Sequence, residues 1–477
     1  MLSRCGCLDY QPKRPLNVRN YKPILFFPQL PIFLSSPWFY RNLGQINGEK
    51  LRQRNKAQAF ANKVRPELFA ANLTYKPRSF MSESGINYTL IEDAAGLAKF
   101  AEENKGIAWM CFDTEFIGEK RFLTLICLIQ VGTPNGFYLI DPLKIKDIQP
   151  VIDILVDEKV LKIVHAGDND YRLFNIQYGI LPRNTFDTQI AASFIGYKHP
   201  VGFSKLVESE LNIVVSKGYT VTDWERRPFQ AKQLHYALHD VIHLYQLWVN
   251  ITKLLEKSGR LSWAYEEFKQ LEDPETYETD PYKEVLESNI IKSLRRREQV
   301  FLLRLMLWRT EEAERRNHSK EMVLPSKYIS AIVRAVHSGL DALQNDRRLP
   351  DNLVGKFGKK FVELYEAPAT EVEREVLNRI PRDNSDNPKQ DILMEMLDLL
   401  VRYKCLQEGI SHHIVMPRNI LKKMKNDKDF FDDATFSGWR RAFLGDEIVS
   451  WFKHRRNLEI KFLDGKFELK MQEAEVE

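Results

Sequence analysis

A chain of 477 residues has room for two to four domains with full-sized cores. Its 44% hydrophobic and 28% charged residues are ordinary for a globular protein. No apolar run is long enough to cross a bilayer, since 23–39 is broken by prolines, Gln29 and serines, so a membrane partner is not expected. The net charge of +5 permits a polyanionic partner without demanding one. Cys5, Cys7, Cys111, Cys127 and Cys405 show no zinc-like pairing. Cys111 and Cys127 fall in apolar, strand-like runs, which points to reduced, buried thiols in a cytoplasmic protein.

Residues 1–80 read differently from the remainder. Up to Gly48 the only acid is Asp9, against Arg4, Lys13, Arg14, Arg19, Lys22 and Arg41. An acid-poor, basic start resembles an organelle transit segment. It lacks a clear amphipathic helix, however, and Met81 is the alternative start.

From Ile86 the pattern becomes regular. A strand is predicted at Tyr88–Ile91, then a helix over 93–104 with Asp93 as its cap. Strands follow at 106–112, 123–131 and 136–140, the last two joined by a turn at 132–136. A helix over 148–155, a buried strand over 160–165, a helix over Asp168–Tyr178 and another over 186–194 complete an α/β domain with a mixed sheet. One long helix is predicted over 230–257, with Pro228 just before it. The acidic stretch 272–287, with Pro274 and Pro281, reads as a linker, and everything from Ile290 onward as helix. Within that tail Leu302, Leu305, Ala313, Val323, Leu324 and Pro325 recur as Met394, Leu397, Cys405, Val415, Met416 and Pro417 at one offset. Two copies of a small domain are expected there, separated by the polar stretch 382–388.

Cys111-Phe112-Asp113-Thr114-Glu115-Phe116 is the stretch where chemistry is expected. Alternate residues of a strand share a face, so Asp113 and Glu115 project side by side from the end of a buried strand. Two like charges buried together are costly unless a cation lies between them. Taken alone, the pair is also explained as solvated acids at a strand end. Further carboxylates from other elements would be needed, because a two-metal nuclease site draws its ligands from several. His165-Ala166-Gly167-Asp168-Asn169-Asp170 sets acids at a strand's C-terminal end, where α/β sheets keep their sites. Asp168 is expected to cap the helix, and Asp170, in the first turn, to face back toward the sheet. Tyr236 and Asp240 stand one turn apart on the apolar stripe that also holds Leu244. A carboxylate on such a stripe calls for a partner, and a phenol beside it can orient a water.

Together these residues resemble a known family. Asp113-x-Glu115, His-Ala-Gly-x-x-Asp170 and Tyr236-x-x-x-Asp240 look like the three exonuclease motifs of the DEDD superfamily, tyrosine subclass. With Leu128-Ile129-Gln130-Val131, Phe186-Asp187-Thr188-Gln189 and Thr222-Asp223-Trp224-x-x-Arg227-Pro228, the chain resembles bacterial ribonuclease D from about Tyr88 to Trp248. Trp308-Arg309, Ala313 and Val323-Leu324-Pro325 are similar to an HRDC domain, and Ser437-Gly438-Trp439-Arg440-Arg441 resembles the end of a second, diverged copy. The resemblance implies a ribonuclease H-like exonuclease domain over 81–270, a linker over 271–289, an HRDC domain over 290–370, a second linker over 371–390 and an HRDC-like domain over 391–477. It further implies 3′→5′ trimming of structured RNA, precursor tRNA above all, with release of nucleoside 5′-monophosphates. Two divalent ions, Mg²⁺ or Mn²⁺, would be held by Asp113, Glu115, Asp170 and Asp240, with Tyr236 orienting the attacking water. The chain departs from the family after Phe116, where it reads Ile117-Gly118-Glu119-Lys120-Arg121-Phe122-Leu123 in place of an Arg-containing segment leading to a Tyr-Tyr-Pro-like sequence.

Other residues carry secondary expectations. Asp187 is expected to cap the helix at Thr188 and to support the ligand set from behind. Lys217, Arg226 and Arg227 around Trp224 form either a phosphate-and-base surface, with Phe116 as a further substrate contact, or a solvated loop. His165 and His239 are expected to be structural, since magnesium prefers oxygen donors. The basic runs 295–297 and 315–316 would give the tail a basic face, of use for RNA or merely for solubility. The competing functions are a 3′→5′ DNA exonuclease, which shares the carboxylate chemistry, and a catalytically silent RNA-binding scaffold.

Overall fold

A computed structural model describes residues 87–215, 222–380 and, with short gaps, 388–471, all within one compact unit, Ser79–Glu477. The 1–80 extension, Met81, Lys217 and the separator residues 382–387 lie outside the described residues.

Strand β1 (Tyr88–Ile91) leads into helix α1 (Ala94–Glu103), whose first turn is capped by the Asp93 carboxylate accepting from Gly96 N at 2.8 Å. Strands β2 (Trp109–Ile117), β3 (Leu125–Thr133) and β4 (Gly136–Ile140) then run antiparallel in sequence. Helix α2 (Gln149–Val156), strand β5 (Leu161–Val164), helix α3 (Asp168–Tyr178), strand β6 (Thr185–Asp187) and helix α4 (Thr188–Ser193) follow. The six-stranded sheet has the order β1-β4-β3-β2-β5-β6. It is mixed, because β1 pairs β4, β2 pairs β5 and β5 pairs β6 in parallel. Leu97, Phe100, Val151, Leu155, Tyr171 and Phe174 cover one face from α1, α2 and α3. The other face is covered by α4, α5 (Phe203–Leu211), α6 (Ala231–Ile242), α7 (Leu244–Lys257) and α8 (Leu261–Leu271).

Several boundaries differ from the sequence expectations. Asp113 and Glu115 lie inside β2 rather than at its end, because β3 continues to pair with the strand as far as Ile117. Parallel partner β5 does stop earlier, at Cys111, so on that side the sheet opens beside the two acids. The sequence pattern opens a helix at Phe186, where the structure has strand β6; three fully buried residues are too short to show a period. The expected 230–257 helix breaks at His243 into α6 and α7. The stretch expected as a linker is packed: Tyr277 is buried with the sheet's core, and Val285 and Leu286, on α9 (Lys283–Leu286), are buried with the helices that follow.

Helices α10 (Arg296–Arg316), α11 (Lys320–Val323), α12 (Ser326–Ala335), α13 (Gly339–Asn345), α14 (Asp351–Glu366) and α15 (Glu371–Asn378) enclose their own core. Arg309 is buried there. Its guanidinium donates to Glu284 at 3.2 Å, Glu321 at 2.6 Å, Ser326 at 3.0 Å and the Lys320 carbonyl at 3.1 Å. The internal repeat has a structural counterpart. Helix α16 (Pro388–Glu408) matches α10 in length, and α17 (His412–Val415) matches α11, each offset by 92 residues. Among the basic runs, Arg296 donates to the Arg374 carbonyl at 2.8 Å and Arg315 pairs with Glu312 at 2.8 Å, so part of that charge serves the fold.

The second copy does not enclose a separate core. Leu397, Val401, Cys405 and Trp439, the last on α18 (Gly438–His454), belong to the same buried cluster as Phe194, Leu247 and Phe268. Glu267 receives the Trp439 indole N–H at 2.6 Å and both terminal nitrogens of Arg440, at 2.8 and 3.1 Å. Removing 391–477 would therefore uncover the apolar side of the α/β domain. The chain does not stay helical either: β7 (Leu458–Leu463) and β8 (Lys466–Met471) form an antiparallel pair. Leu458, Ile460 and Phe462 alternate with Glu459 and Lys461 ahead of Asp464-Gly465, a period-two pattern with a hairpin dipeptide.

Candidate active site

Strand alternation puts Asp113 and Glu115 on the face of the sheet covered by α6, directly opposite Gln130 and Leu128 of β3. The ladder shifts register between Glu115 and Phe116, and Phe116 is 40% exposed. Helix α6 is held on the sheet by Leu234, Ala237, Leu238 and Val241. Its start is fixed by Gln230, whose backbone N–H donates to the Gln233 side chain at 2.8 Å. That placement directs Tyr236 and Asp240 at the strand. One carboxylate oxygen from each of Asp113, Glu115 and Asp240 lies within 4.8 Å of the others. The cavity of about 200 Å³ above them is lined by these three acids, Thr114, His165, Phe203, Tyr236 and Leu244.

Asp170 joins from the opposite layer. It sits in the first turn of α3, buried, and accepts a short hydrogen bond from the Thr114 hydroxyl on the strand between the two acids. It is adjacent to the three-acid group rather than within it. Asp168 does not cap the helix: Gly167 occupies that position, and Asp168 is exposed and paired with Arg172 at 3.1 Å. The carboxylate that holds the loop is Asp187. It caps α4 by accepting from Gln189 N at 2.8 Å and Ile190 N at 3.1 Å, and also accepts from Ala166 N at 3.2 Å and Gly167 N at 2.9 Å.

Burial and mutual repulsion act on the acids. Desolvation raises Asp113 well above the usual carboxylate range, with the charges of Asp170, Asp240 and Glu115 adding to it. Glu115 is pushed up to about 9 by burial and by Asp240 and Asp170. Burial takes Asp170 and Asp240 to about 7, and it raises the Tyr236 phenol, with Asp240, Glu115 and Asp113 contributing. Such a group holds its charge poorly without a cation. The all-oxygen donor set suits hard divalent ions. The amide of Gln130, fully buried opposite Asp113, finds no hydrogen-bond partner among the described residues. Buried, repelling carboxylates beside an unsatisfied amide fit a site built around metal ions and their water.

Two candidate substrate contacts are corrected. Trp224 is only 3% exposed, packed with Leu128, Leu139 and Ala237, and its ring lies 6.3 Å from that of Tyr236. It buttresses the phenol instead of offering a face to a base. All the N–H groups of Arg227 are spent inside the protein. Nε and Nη2 grip the buried Asp141 carboxylate at 2.5 and 2.7 Å, Nη2 also reaches the Cys127 carbonyl at 2.8 Å, and Nη1 reaches the Trp224 and Arg226 carbonyls at 2.6 and 3.2 Å. His165 is structural as expected, its nitrogens engaging the Thr188 hydroxyl at 2.9 Å and the Val201 carbonyl at 3.1 Å. Sequence pattern alone does not point to Thr114, Gln130 or Phe203. A glutamine inside the apolar run Leu128-Ile129-Gln130-Val131 was the available signal for one of them.

The departing segment after Phe116 rests on the first helical domain. Ser319 N donates to the Lys120 carbonyl at 3.1 Å, Leu123 N to the Asn317 side chain at 3.4 Å, and Phe122 packs against that domain's core.

This fold and acid cluster define a 3′–5′ exonuclease domain, and a family model described as "3'-5' exonuclease" matches residues 88–256. Ribonuclease D of Zymomonas mobilis is 30% identical over 373 residues, 76% of this chain and 93% of that protein; ribonuclease D of Nitrobacter hamburgensis is 29% identical over 76% of this chain and 95% of its own length. The crystal structure of Escherichia coli RNase D, an exoribonuclease involved in structured RNA processing, covers 77% of this chain and 99% of its own at a TM-score of 0.66 and 24% identity, a likeness of fold. The catalytic core of RRP6 from Trypanosoma brucei shares the fold at a TM-score of 0.51 and 19% identity, covering 60% of this chain and 80% of its own. The chain belongs to the ribonuclease D family and is a metal-dependent 3′→5′ exoribonuclease. Among the described residues no helix is long and apolar enough to cross a membrane.

Proposed function

We propose that the enzyme trims the 3′ ends of structured RNA, precursor tRNA first among them, through the cleft lined by Asp113, Glu115, Tyr236 and Asp240. The grouping of three carboxylates beside the Tyr236 phenol carries the reading. Asp113, Glu115, Asp170 and Asp240 are the residues that would hold two divalent ions, Mg²⁺ or Mn²⁺. Ions held there supply the positive charge that activates water and stabilises the leaving oxygen. Tyr236, kept protonated at neutral pH, orients that water by hydrogen bonding, and Thr114 holds the Asp170 carboxylate toward the strand. Phe116, exposed and next in sequence to Glu115, stacks the terminal base. An HRDC domain would follow the exonuclease domain, its core reaching back to Val285 and Leu286 and on to Val376 and Leu377 across both stretches expected as linkers, and the HRDC-like second copy would pack on the exonuclease domain itself. Free, buried Cys111, Cys127 and Cys405 suit a cytoplasmic enzyme.

Incubation of the full chain with 3′-extended tRNA and with matched single-stranded DNA, each in Mg²⁺ or in EDTA, tests this. Stepwise Mg²⁺-dependent shortening of the tRNA extension is the expected result. Shortening of DNA in preference would favour a DNA exonuclease, and tRNA binding without turnover a silent scaffold.

A further inference from the structure

Three histidines follow one another at four-residue spacing, His235 and His239 on α6 and His243 at the break that ends it. They form a stripe one residue round from the Tyr236–Asp240 stripe, and no step of the nuclease chemistry uses them. Residues i and i+4 stand one above the other on a helix, so the first two imidazoles meet. Their ring centroids are 4.3 Å apart and the two Nε2 atoms 3.2 Å apart. Two zinc–imidazole bonds of about 2.0–2.1 Å at a tetrahedral angle would set their nitrogens roughly 3.3 Å apart. The pair already has that spacing. His239 and His243 are further separated, with centroids 6.0 Å apart, so the chelating pair is the first one.

We propose that His235 and His239 form a second metal site, for a late transition ion such as Zn²⁺, separate from the acidic cluster. Donor chemistry divides the two: imidazole nitrogens favour zinc, nickel and copper, whereas the all-carboxylate group favours magnesium or manganese. His235 is exposed, so the site is reached from solvent without opening the protein. Two protein ligands leave the remaining coordination positions to water or an added ligand, as in an open site. His-x-x-x-His on one helix face is also the arrangement that metalloproteases use for zinc, although the adjoining acid of that motif is lacking here.

The test uses the full chain with excess Mg²⁺ occupying the acidic cluster. Zn²⁺ is titrated by calorimetry, and Cu²⁺ serves as a probe read by electron paramagnetic resonance. The site predicts one Zn²⁺ per chain, nitrogen hyperfine splitting from two imidazoles on the copper signal, and at least tenfold weaker binding in His235→Gln and in His239→Gln. His243→Gln should bind as the parent does. Retained Mg²⁺-dependent nuclease activity in His235→Gln, whose side chain is exposed, would show that the fold is intact. Zn²⁺ affinity unchanged in His235→Gln, a copper signal with oxygen ligands only, or Zn²⁺ binding abolished by Asp113→Asn alone would overturn the proposal. Because the readout is binding, it stands apart from the nuclease assignment.

Discussion

The Asp187 carboxylate accepts the backbone N–H of Gly167 at 2.9 Å, three residues before the metal-ligand candidate Asp170. The same carboxylate takes N–H groups from Ala166, Gln189 and Ile190, so one buried side chain fixes both the β5–α3 loop and the start of α4. Hydrogen bonds to a charged group contribute about 1.5–3 kcal/mol each. Asp187→Ala strands all four donors and is expected to lower stability by several kcal/mol, with activity falling too as Asp170 loses its setting. Urea denaturation read beside turnover checks this; a variant as stable as the parent would contradict it.

Proton linkage gives the acid cluster a pH signature. Unfolded carboxylates titrate near pH ~4, whereas burial holds Asp170 and Asp240 near 7 and Glu115 near 9. The folded, metal-free protein therefore retains protons that the unfolded chain has released. Its stability falls as pH rises through that window. Metal binding requires the ionised carboxylates, so the stabilisation by Mg²⁺ grows with pH over the same range. Melting temperatures in EDTA and in Mg²⁺ from pH ~5 to ~9 should diverge upward with pH. A gap that is constant, or widest at the acid end, would count against the cluster as the metal site.

Phe116, next in sequence to Glu115, is exposed to solvent. Base stacking on an aromatic contributes about 1–3 kcal/mol. Phe116→Ala should raise KM for RNA about tenfold with the melting temperature unchanged. Equal KM in steady-state assays would remove the ring from the substrate path.

Arg227, which the sequence offers to a nucleic-acid surface or to a solvated loop, instead clasps Asp141, which is fully buried. Removing one partner of a buried pair costs about 3–5 kcal/mol, because the other charge is left uncompensated. Arg227→Ala should lose stability on that scale, and Arg227→Lys should rescue it poorly, since a single ammonium cannot make five directed bonds. Chemical denaturation of both variants decides the matter; loss of RNA affinity at full stability would restore the surface reading.

Much of the site was legible because its chemistry is local. Asp113 and Glu115 share a strand face and Tyr236 and Asp240 a helix face, and both periods are set by the backbone alone. The Arg227–Asp141 pair spans 86 residues, and the burial of Trp224 depends on β3 and β4 arriving against it, so neither could be read from its own neighbours. Strand β6 escaped because three residues show no period. In the tail, the repeat of α10 as α16 was visible in apolar spacing, but its use as a lid on the α/β core was not, since exposed and covered apolar faces look alike in sequence. The closing hairpin was missed although Leu458 to Met471 alternates around Asp464-Gly465.

Asp113, Glu115, Asp170 and Asp240 are proposed to carry the chemistry together. Digestion of 5′-labelled RNA by the parent and by Asp113→Asn, with thermal melting of both in EDTA, tests it most directly. Losing one carboxylate's share of metal-borne stabilisation, several kcal/mol, should cut turnover at least about a hundredfold. The one-nucleotide ladder should fade accordingly, while the variant melts no lower than the parent because a charge disfavoured by burial has gone. A ladder of parental rate from folded Asp113→Asn protein would contradict the assignment.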